Sequence, residues 1–180
     1  SGMAAGWVAE TAARPQTGNA QLAELSFPTM ELYAMPAATA ALLDDAAVDV
    51  EGWIASEVDI VFAEQEAGYL VGYLAGLEAK KEGFDTISAV GANNVPAIVH
   101  YISGYIQGAK KANPGIKVLA NYANDPTFND QAKCHEAALN QIDQGSHVVF
   151  QVAGGCGLGA LQAAKEKKVW GIGVDADQRY

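Results

Sequence analysis

The segment with the clearest chemical potential is Gly154-Gly155-Cys156-Gly157-Leu158-Gly159, between an apolar run and a helical pattern. Glycines in that position let the backbone turn sharply and leave amide N–H groups free to face a ligand's oxygens. Gly155, Gly157 and Ala160 also satisfy the relaxed dinucleotide fingerprint GxGxx(G/A), and Asp175 lies twenty residues beyond Gly155. An acid at the end of the next strand accepts hydrogen bonds from ribose hydroxyls. The same residues equally suit a tight strand-to-helix turn, with Asp175 capping a loop. A Walker-type phosphate loop is excluded, because no Gly-Lys-Ser/Thr follows.

Phe128 stands in the polar stretch Asn124-Asp125-Pro126-Thr127-Phe128-Asn129-Asp130. An aromatic side chain there could stack on a flat ring or fold back onto the core. Asn93 and Asn94 could read polar ligand edges, or shape the turn ahead of Pro96. The usual catalytic constellations are missing: there is no GxSxG and no HExxH. Cys134 and His135 are adjacent, so on a helix they point in different directions and make a poor nucleophile-base pair or metal site. His100 and His147 have no partner at metal-ligand spacing. Glu64 and Glu66 suit the first turn of a helix, where acids favour the dipole. Neither an enzyme, a metal nor a cofactor is expected from these residues.

These residues need a scaffold, and from residue 58 the sequence supplies a regular one. Val58–Phe62 reads as a short strand, and Glu64–Lys81 as a helix with Ala67, Leu70, Val71, Leu74 and Leu77 on its inward face. Gly68, Gly72 and Gly76 make a smooth stripe where another backbone could approach. Four strands are expected at Thr86–Val90, Lys117–Tyr122, His147–Val152 and Val169–Val174. Three helices lie between them: Pro96 to about Ala112, Asn129 or Asp130 to the glycine stop at Gly145, and Leu158–Lys168. This alternation implies an α/β fold, a doubly wound parallel sheet with helices on both faces. Ligands bind such sheets beyond the carboxyl ends of the strands. The segments concerned are Gly91–Val95, Ala123–Asn129, Ala153–Gly159 and Asp175–Gln178.

Residues 1–57 are less legible. Thr29–Met35 could be a strand and Ala37–Ala47 an alanine-rich helix, interrupted by prolines at 15, 28 and 36. Ser1-Gly2 ahead of Met3 resembles a remnant of tag cleavage, and no signal-peptide pattern follows Met3. With 180 residues, 50% of them hydrophobic and 34 of them alanine, the chain can bury one core of small side chains. No apolar stretch approaches the about 18–20 residues of a membrane span. Cys134 and Cys156, 22 residues apart, form neither a CxxC nor a dense framework and do not fix a redox compartment. The net charge of −10 is uneven: residues 1–79 hold twelve acids and one base, and residues 80–180 nine acids and ten bases. An acidic chain is a poor partner for a phosphate backbone, so no nucleic acid is expected.

Several separated segments then agree with one family. Phe62-Ala63-Glu64-Gln65-Glu66-Ala67-Gly68-Tyr69-Leu70, Phe128-Asn129-Asp130-Gln131-Ala132-Lys133, Asp143-Gln144-Gly145, Phe150-Gln151-Val152-Ala153-Gly154-Gly155 and Gly173-Val174-Asp175-Ala176-Asp177-Gln178 occur in order. Over about residues 58–178 the chain resembles the basic membrane protein (BMP) family, nucleoside-binding lipoproteins that serve ABC importers. The resemblance implies one lobe of a type I periplasmic-binding-protein fold and non-catalytic binding of a purine nucleoside. It matches Phe128 to the aromatic that stacks on the base, Gly154 and its neighbours to the loop approaching the ligand, and Asp175 to the acid holding ribose. It further implies a transporter permease as partner and a place outside the cytoplasmic membrane.

Departures from the family are also evident. Gly91-Ala92-Asn93-Asn94 replaces the usual Gly-Gly-Met-acid, Cys156 stands where Thr is common, and residues 1–57 do not resemble the family's first lobe. The chain is therefore expected to be a truncated relative with half a cleft, a divergent acidic segment at 1–57, and a tendency to self-associate. The competing readings are a dinucleotide-binding enzyme fragment built on Gly155, Gly157, Ala160 and Asp175, and an interaction module that has lost its ligand.

Overall fold

The computed structural model describes residues 31–39, 43, 49–175 and 177–178. From Ala34 onward the chain forms one compact unit. Its regular part opens with α1 (Val50–Glu82), started by Asp49, whose carboxylate accepts from the Gly52 N–H at 2.9 Å. Gly83, in the left-handed conformation (φ 80°), ends it and returns its N–H to the Ala79 carbonyl. Then follow β1 (Thr86–Gly91), α2 (Pro96–Ala112), β2 (Lys117–Tyr122), α3 (Gln131–Asp143), β3 (Val148–Val152), a 3-10 turn (Gly154–Cys156), α4 (Gly157–Lys167) and β4 (Trp170–Ile172). All pairings are parallel, in the order β2-β1-β3-β4. β1 and β3 are buried along their whole length, as the interior strands of a sheet covered on both faces must be. The expected doubly wound α/β lobe is what forms.

Three expectations fail at α1. Val58–Phe62 is helical, not a strand. A strand needs a partner for its N–H and C=O groups, and the described sheet pairs only β1 to β4, whereas a helix satisfies those groups internally. Glu64 and Glu66 therefore lie in mid-helix, and the acid of the first turn is Glu51. The inward face differs as well: of the expected residues Val71 packs against the core, but Leu70, Leu74 and Leu77 are exposed, while Gly68, Gly72, Ala75, Gly76 and Ala79 are buried. The two stripes are offset by two residues, roughly 200° around the helix, so only one can meet the core.

The glycine stripe wins because α2 carries its own glycines. A Cβ on Gly68 or Gly72 would overlap the Tyr101 or Tyr105 carbonyl, and one on Gly104 or Gly108 would overlap the Gln65 or Tyr69 carbonyl. The helices thus pack backbone to backbone, which offsets the roughly 1 kcal/mol that each helical glycine costs relative to alanine. Beneath them Tyr105 stacks on Phe150 at 4.9 Å, and both are fully buried. Across the sheet, Gln141 donates to the Ala89 carbonyl at 2.8 Å, anchoring α3 to β1.

In the N-terminal stretch, residues 31–35 form no strand, and Thr29 and Met30 lie outside the described residues. Of the helix expected at 37–47, only 37–39 and 43 are described; residues 37–39 are irregular, and Leu43 donates to the Thr39 carbonyl at 3.1 Å. The anticipated boundary at 57/58 falls inside α1.

Candidate functional site

The strand order places the site. The chain runs from β1 out to β2 and then crosses back to β3 on the other side of β1, so the winding reverses between β1 and β3. A crevice opens at such a switch point, beyond the carboxyl ends. The strand ends there are closely tied: Ala92 N–H donates to Val152 O at 3.3 Å, Ala123 N–H to Gly91 O at 2.8 Å, and Asp125 N–H to Ala92 O at 2.9 Å.

Three of the seven anticipated residues lie in the two loops that meet at this edge, and a fourth, Gly157, opens α4 directly after them. Phe128 is half-buried against the core, and its carbonyl accepts from the Cys156 N–H at 2.8 Å. A Cβ on Gly154 would sit 3.5 Å from the Phe128 Cβ, and one on Gly155 would meet Asn129 Oδ1 at 2.6 Å. Phe128, Gly154 and Gly155 therefore form one surface. Gly157 is buried, and its missing side chain leaves room for the amide of Gln151. Asn93 and Asn94 follow β1, where Asn93 Oδ1 accepts from the Asn94 N–H at 3.0 Å, an arrangement that shapes the turn. Asp175 follows β4 and is exposed.

Backbone conformation singles out the same edge. Asn124 (φ 53°), Phe128 (φ 60°) and Asp175 (φ 66°) are left-handed although they have side chains, and Gly154 (φ 56°) joins them. Each loop after β2, β3 and β4 holds such a residue. A left-handed phenylalanine is uncommon, and strain of this kind concentrates at ligand sites. The one other non-glycine of positive φ among the described residues, Lys168, merely ends α4.

The device that holds Phe128 is Asp125, which the sequence reading passed over. Its carboxylate, almost wholly buried, accepts from Thr127 Oγ1 at 2.6 Å and from the N–H groups of Thr127 at 3.0 Å, Asn129 at 2.8 Å and Asp130 at 2.7 Å. The Thr127 hydroxyl above all, with the three N–H groups, holds its pKa down at about 2 against the opposing effect of burial. The Asp-Pro-Thr spacing, an aspartate with a hydroxyl residue two places on, was the available signal for this turn. Also missed was the Cys134–Cys156 disulfide, which joins the first turn of α3 to the glycine loop. Spacing alone could not reveal it, since a Cα separation of 5.5 Å is decided by the packing of α3 against the turn. Gln178 is a third addition, accepting from Gln151 Nε2 at 2.8 Å and from Val174 N–H at 3.2 Å, which ties the segment after β4 to β3.

The histidines are engaged elsewhere. His100 Nδ1 lies 2.7 Å from Glu64, His135 Nε2 lies 3.0 Å from Glu166, and His147 stacks on Phe84 at 4.0 Å. Among the described residues, no three His, Cys, Asp or Glu side chains are grouped to hold a metal ion.

The chain is similar to known proteins over this lobe. It is 38% identical over 127 residues to an ABC transporter nucleoside-binding protein, BmpA, of Lactococcus lactis subsp. cremoris, covering 66% of this chain and 35% of that one. It is 37% identical over 125 residues to basic membrane protein D of Borreliella burgdorferi, covering 68% and 35%. Among solved structures, an ABC transporter solute-binding protein from Conexibacter woesei superposes with a TM-score of 0.55 at 32% identity, covering 63% of this chain and 35% of that one. The chain thus spans about a third of the length of these relatives. The family model described as ABC transporter substrate-binding protein PnrA-like (Bmp) matches residues 41–180, starting earlier than the resemblance noted from residue 58. With that match over most of its length, the chain belongs to the PnrA-like Bmp family of ABC transporter substrate-binding proteins.

Proposed function

We propose that this chain binds a purine nucleoside at the carboxyl edge of its sheet, without chemical transformation. The observation that carries the reading is the set of left-handed residues there, with Phe128 against Gly154 and Asp175 beyond β4. Phe128 would stack on the base, the Gly154–Gly155 backbone would approach the ligand, and Asp175 would accept from the two ribose hydroxyls. A carboxylate with two hydroxyl partners favours a ribonucleoside over a deoxy analogue. Asn93 and Asn94 border the same crevice. Gly157 supports it from behind by admitting Gln151. That role weakens the dinucleotide reading, which needs Gly157 to open toward a pyrophosphate. The name of the Lactococcus relative, a nucleoside-binding protein, agrees with the reading.

The partner proposed by family is an ABC transporter permease, with a second copy of the chain as a further partner. An extracytoplasmic location is proposed because a buried disulfide suits an oxidising compartment and because Pyrococcus relatives are named lipoproteins. Among the described residues, no helix is long and apolar enough to cross a membrane.

Calorimetric titration with inosine, guanosine, adenosine and NAD tests the proposal. Nucleoside binding weakened by Phe128→Ala and by Asp175→Ala is expected. Tight nucleoside binding indifferent to both substitutions would refute the site. Binding of NAD alone would favour the dinucleotide reading, and no binding an interaction module.

A further inference from the structure

One buried amide ties together the loops after β3 and β4. Gln151, near the end of β3, is fully buried, so each polar atom of its side chain needs a partner. Its Oε1 accepts at 3.0 Å from the N–H of Ala153, which leads into the glycine loop. Its Nε2 donates at 2.8 Å to Oε1 of Gln178, and that same oxygen accepts from the Val174 N–H at 3.2 Å. The two backbone N–H groups fix which end of each amide is oxygen, so the chain of bonds has one polarity. Two glycines make room for it: a Cβ on Gly157 would overlap Gln151 Oε1, and one on Gly173 would overlap Gln178 Oε1.

The consequence falls on Asp175. The β3–β4 register ends at Phe150 and Ile172, short of the loop that carries the acid. Past it, the bond from Val174 N–H to the Gln178 side chain closes a short loop, with Asp175 inside it in the left-handed conformation (φ 66°). An aspartate visits that conformation readily, but its carboxylate discriminates between hydroxyls only if the turn is held in one geometry. Gln178 supplies the hold, and Gln151 carries it to β3, an interior strand of the sheet. Because the same Gln151 amide also fixes Ala153, it sets the Asp175 loop relative to the Gly154–Gly155 surface.

We propose that the Gln151–Gln178 amide pair positions Asp175 and thereby sets selectivity for ribose over 2′-deoxyribose. The proposal rests on the nucleoside reading above. Inosine and 2′-deoxyinosine are the probes, titrated calorimetrically against the full chain, and the ratio of their dissociation constants is the readout. Loss of one hydrogen bond to a charged group gives the unaltered chain a preference for inosine of roughly tenfold or more. Gln178→Met keeps the length of the side chain but removes the acceptor, and should bring the ratio to within about threefold of one. Gln178→Glu keeps an oxygen for both the Val174 N–H and Gln151 Nε2, and should keep the preference. Phe128→Ala should weaken both ligands alike. A second readout needs no ligand: amide hydrogen exchange at Val174 should quicken by about tenfold or more in Gln178→Met and stay slow in Gln178→Glu. Val174 exchange indifferent to Gln178→Met would overturn the proposal, as would a preference kept in that variant but lost in Asp175→Ala. Failure of both nucleosides to bind, or a preference left intact by Asp175→Ala, would instead overturn the nucleoside reading and the ribose role with it.

Discussion

Replacing Gly72 by alanine sets two effects against each other. In an exposed helix the change would stabilise by about 1 kcal/mol, because alanine loses less backbone freedom on folding. Here the new methyl would overlap the carbonyl carbon and oxygen of Tyr105, which are backbone atoms and cannot rotate away. Overpacking of this kind costs about 1–3 kcal/mol, and a rigid neighbour puts the cost near the upper end. The net expectation is a loss of about 1–2 kcal/mol, or roughly 2–8 °C in Tm for a domain of this size. Gly108→Ala, whose methyl would overlap the Tyr69 carbonyl from the other helix, should behave alike. The double variant should cost less than the two singles together, because the first substitution has already moved the helices apart. Thermal and urea unfolding followed by circular dichroism measure all three. Asn140→Ala on α3, an exposed helical position, provides the propensity-only control and should raise Tm slightly. If Gly72→Ala also raises Tm, the backbone-to-backbone packing of α1 on α2 is refuted.

Three further outcomes are expected. The Asp125 carboxylate is held at about 2 in the folded chain, against 3.8 for an ordinary aspartate, so its contribution is complete above about pH 4 and is lost as pH falls through about 2. The amide resonances of Thr127, Asn129 and Asp130 should accordingly titrate together near pH 2; a midpoint near 4 would contradict the buried four-donor geometry. Reducing the Cys134–Cys156 bridge, which closes a loop of 22 residues, should cost roughly 3 kcal/mol by chain entropy, measured as a lower urea midpoint for the Cys134→Ser/Cys156→Ser variant. Finally, Asp125→Ala should weaken nucleoside binding nearly as much as Phe128→Ala while leaving the far-UV spectrum intact, since the carboxylate acts by holding the loop; unchanged affinity would deny it that role.

How much of this was legible in advance follows from which interactions are local. Pro96 opening α2, Asn113-Pro114-Gly115 closing it, Gly83 and Gly145 as stops and the apolar runs of β1 and β3 act within a few residues of themselves, and each appears where expected. The glycine stripe of α1 was also readable, since only a close-packed neighbour rationalises three glycines in one helix. Phe128, Gly154 and Asp175 could be nominated because loops at the carboxyl edge follow from strand order. Their left-handed backbones could not be foreseen, whereas the Asp-Pro-Thr spacing does signal the turn that Asp125 anchors beneath Phe128.

What the sequence by itself determined is therefore the alternation of elements, the parallel sheet and the candidate loops, because capping, turn chemistry and hydrophobic period are local properties. The tertiary structure decided the rest. Val58–Phe62 has the composition of a strand, but with no neighbouring strand to pair with among the described residues it continues a helix. Leu70, Leu74 and Leu77 have the spacing of a core face, but carbonyl-to-glycine contact with α2 claimed the opposite side of that helix and left the leucines outward. Cys134 and Cys156 became partners only once α3 lay against the glycine turn. Each of these outcomes turns on which distant surface a segment meets, and no window along the chain contains that information.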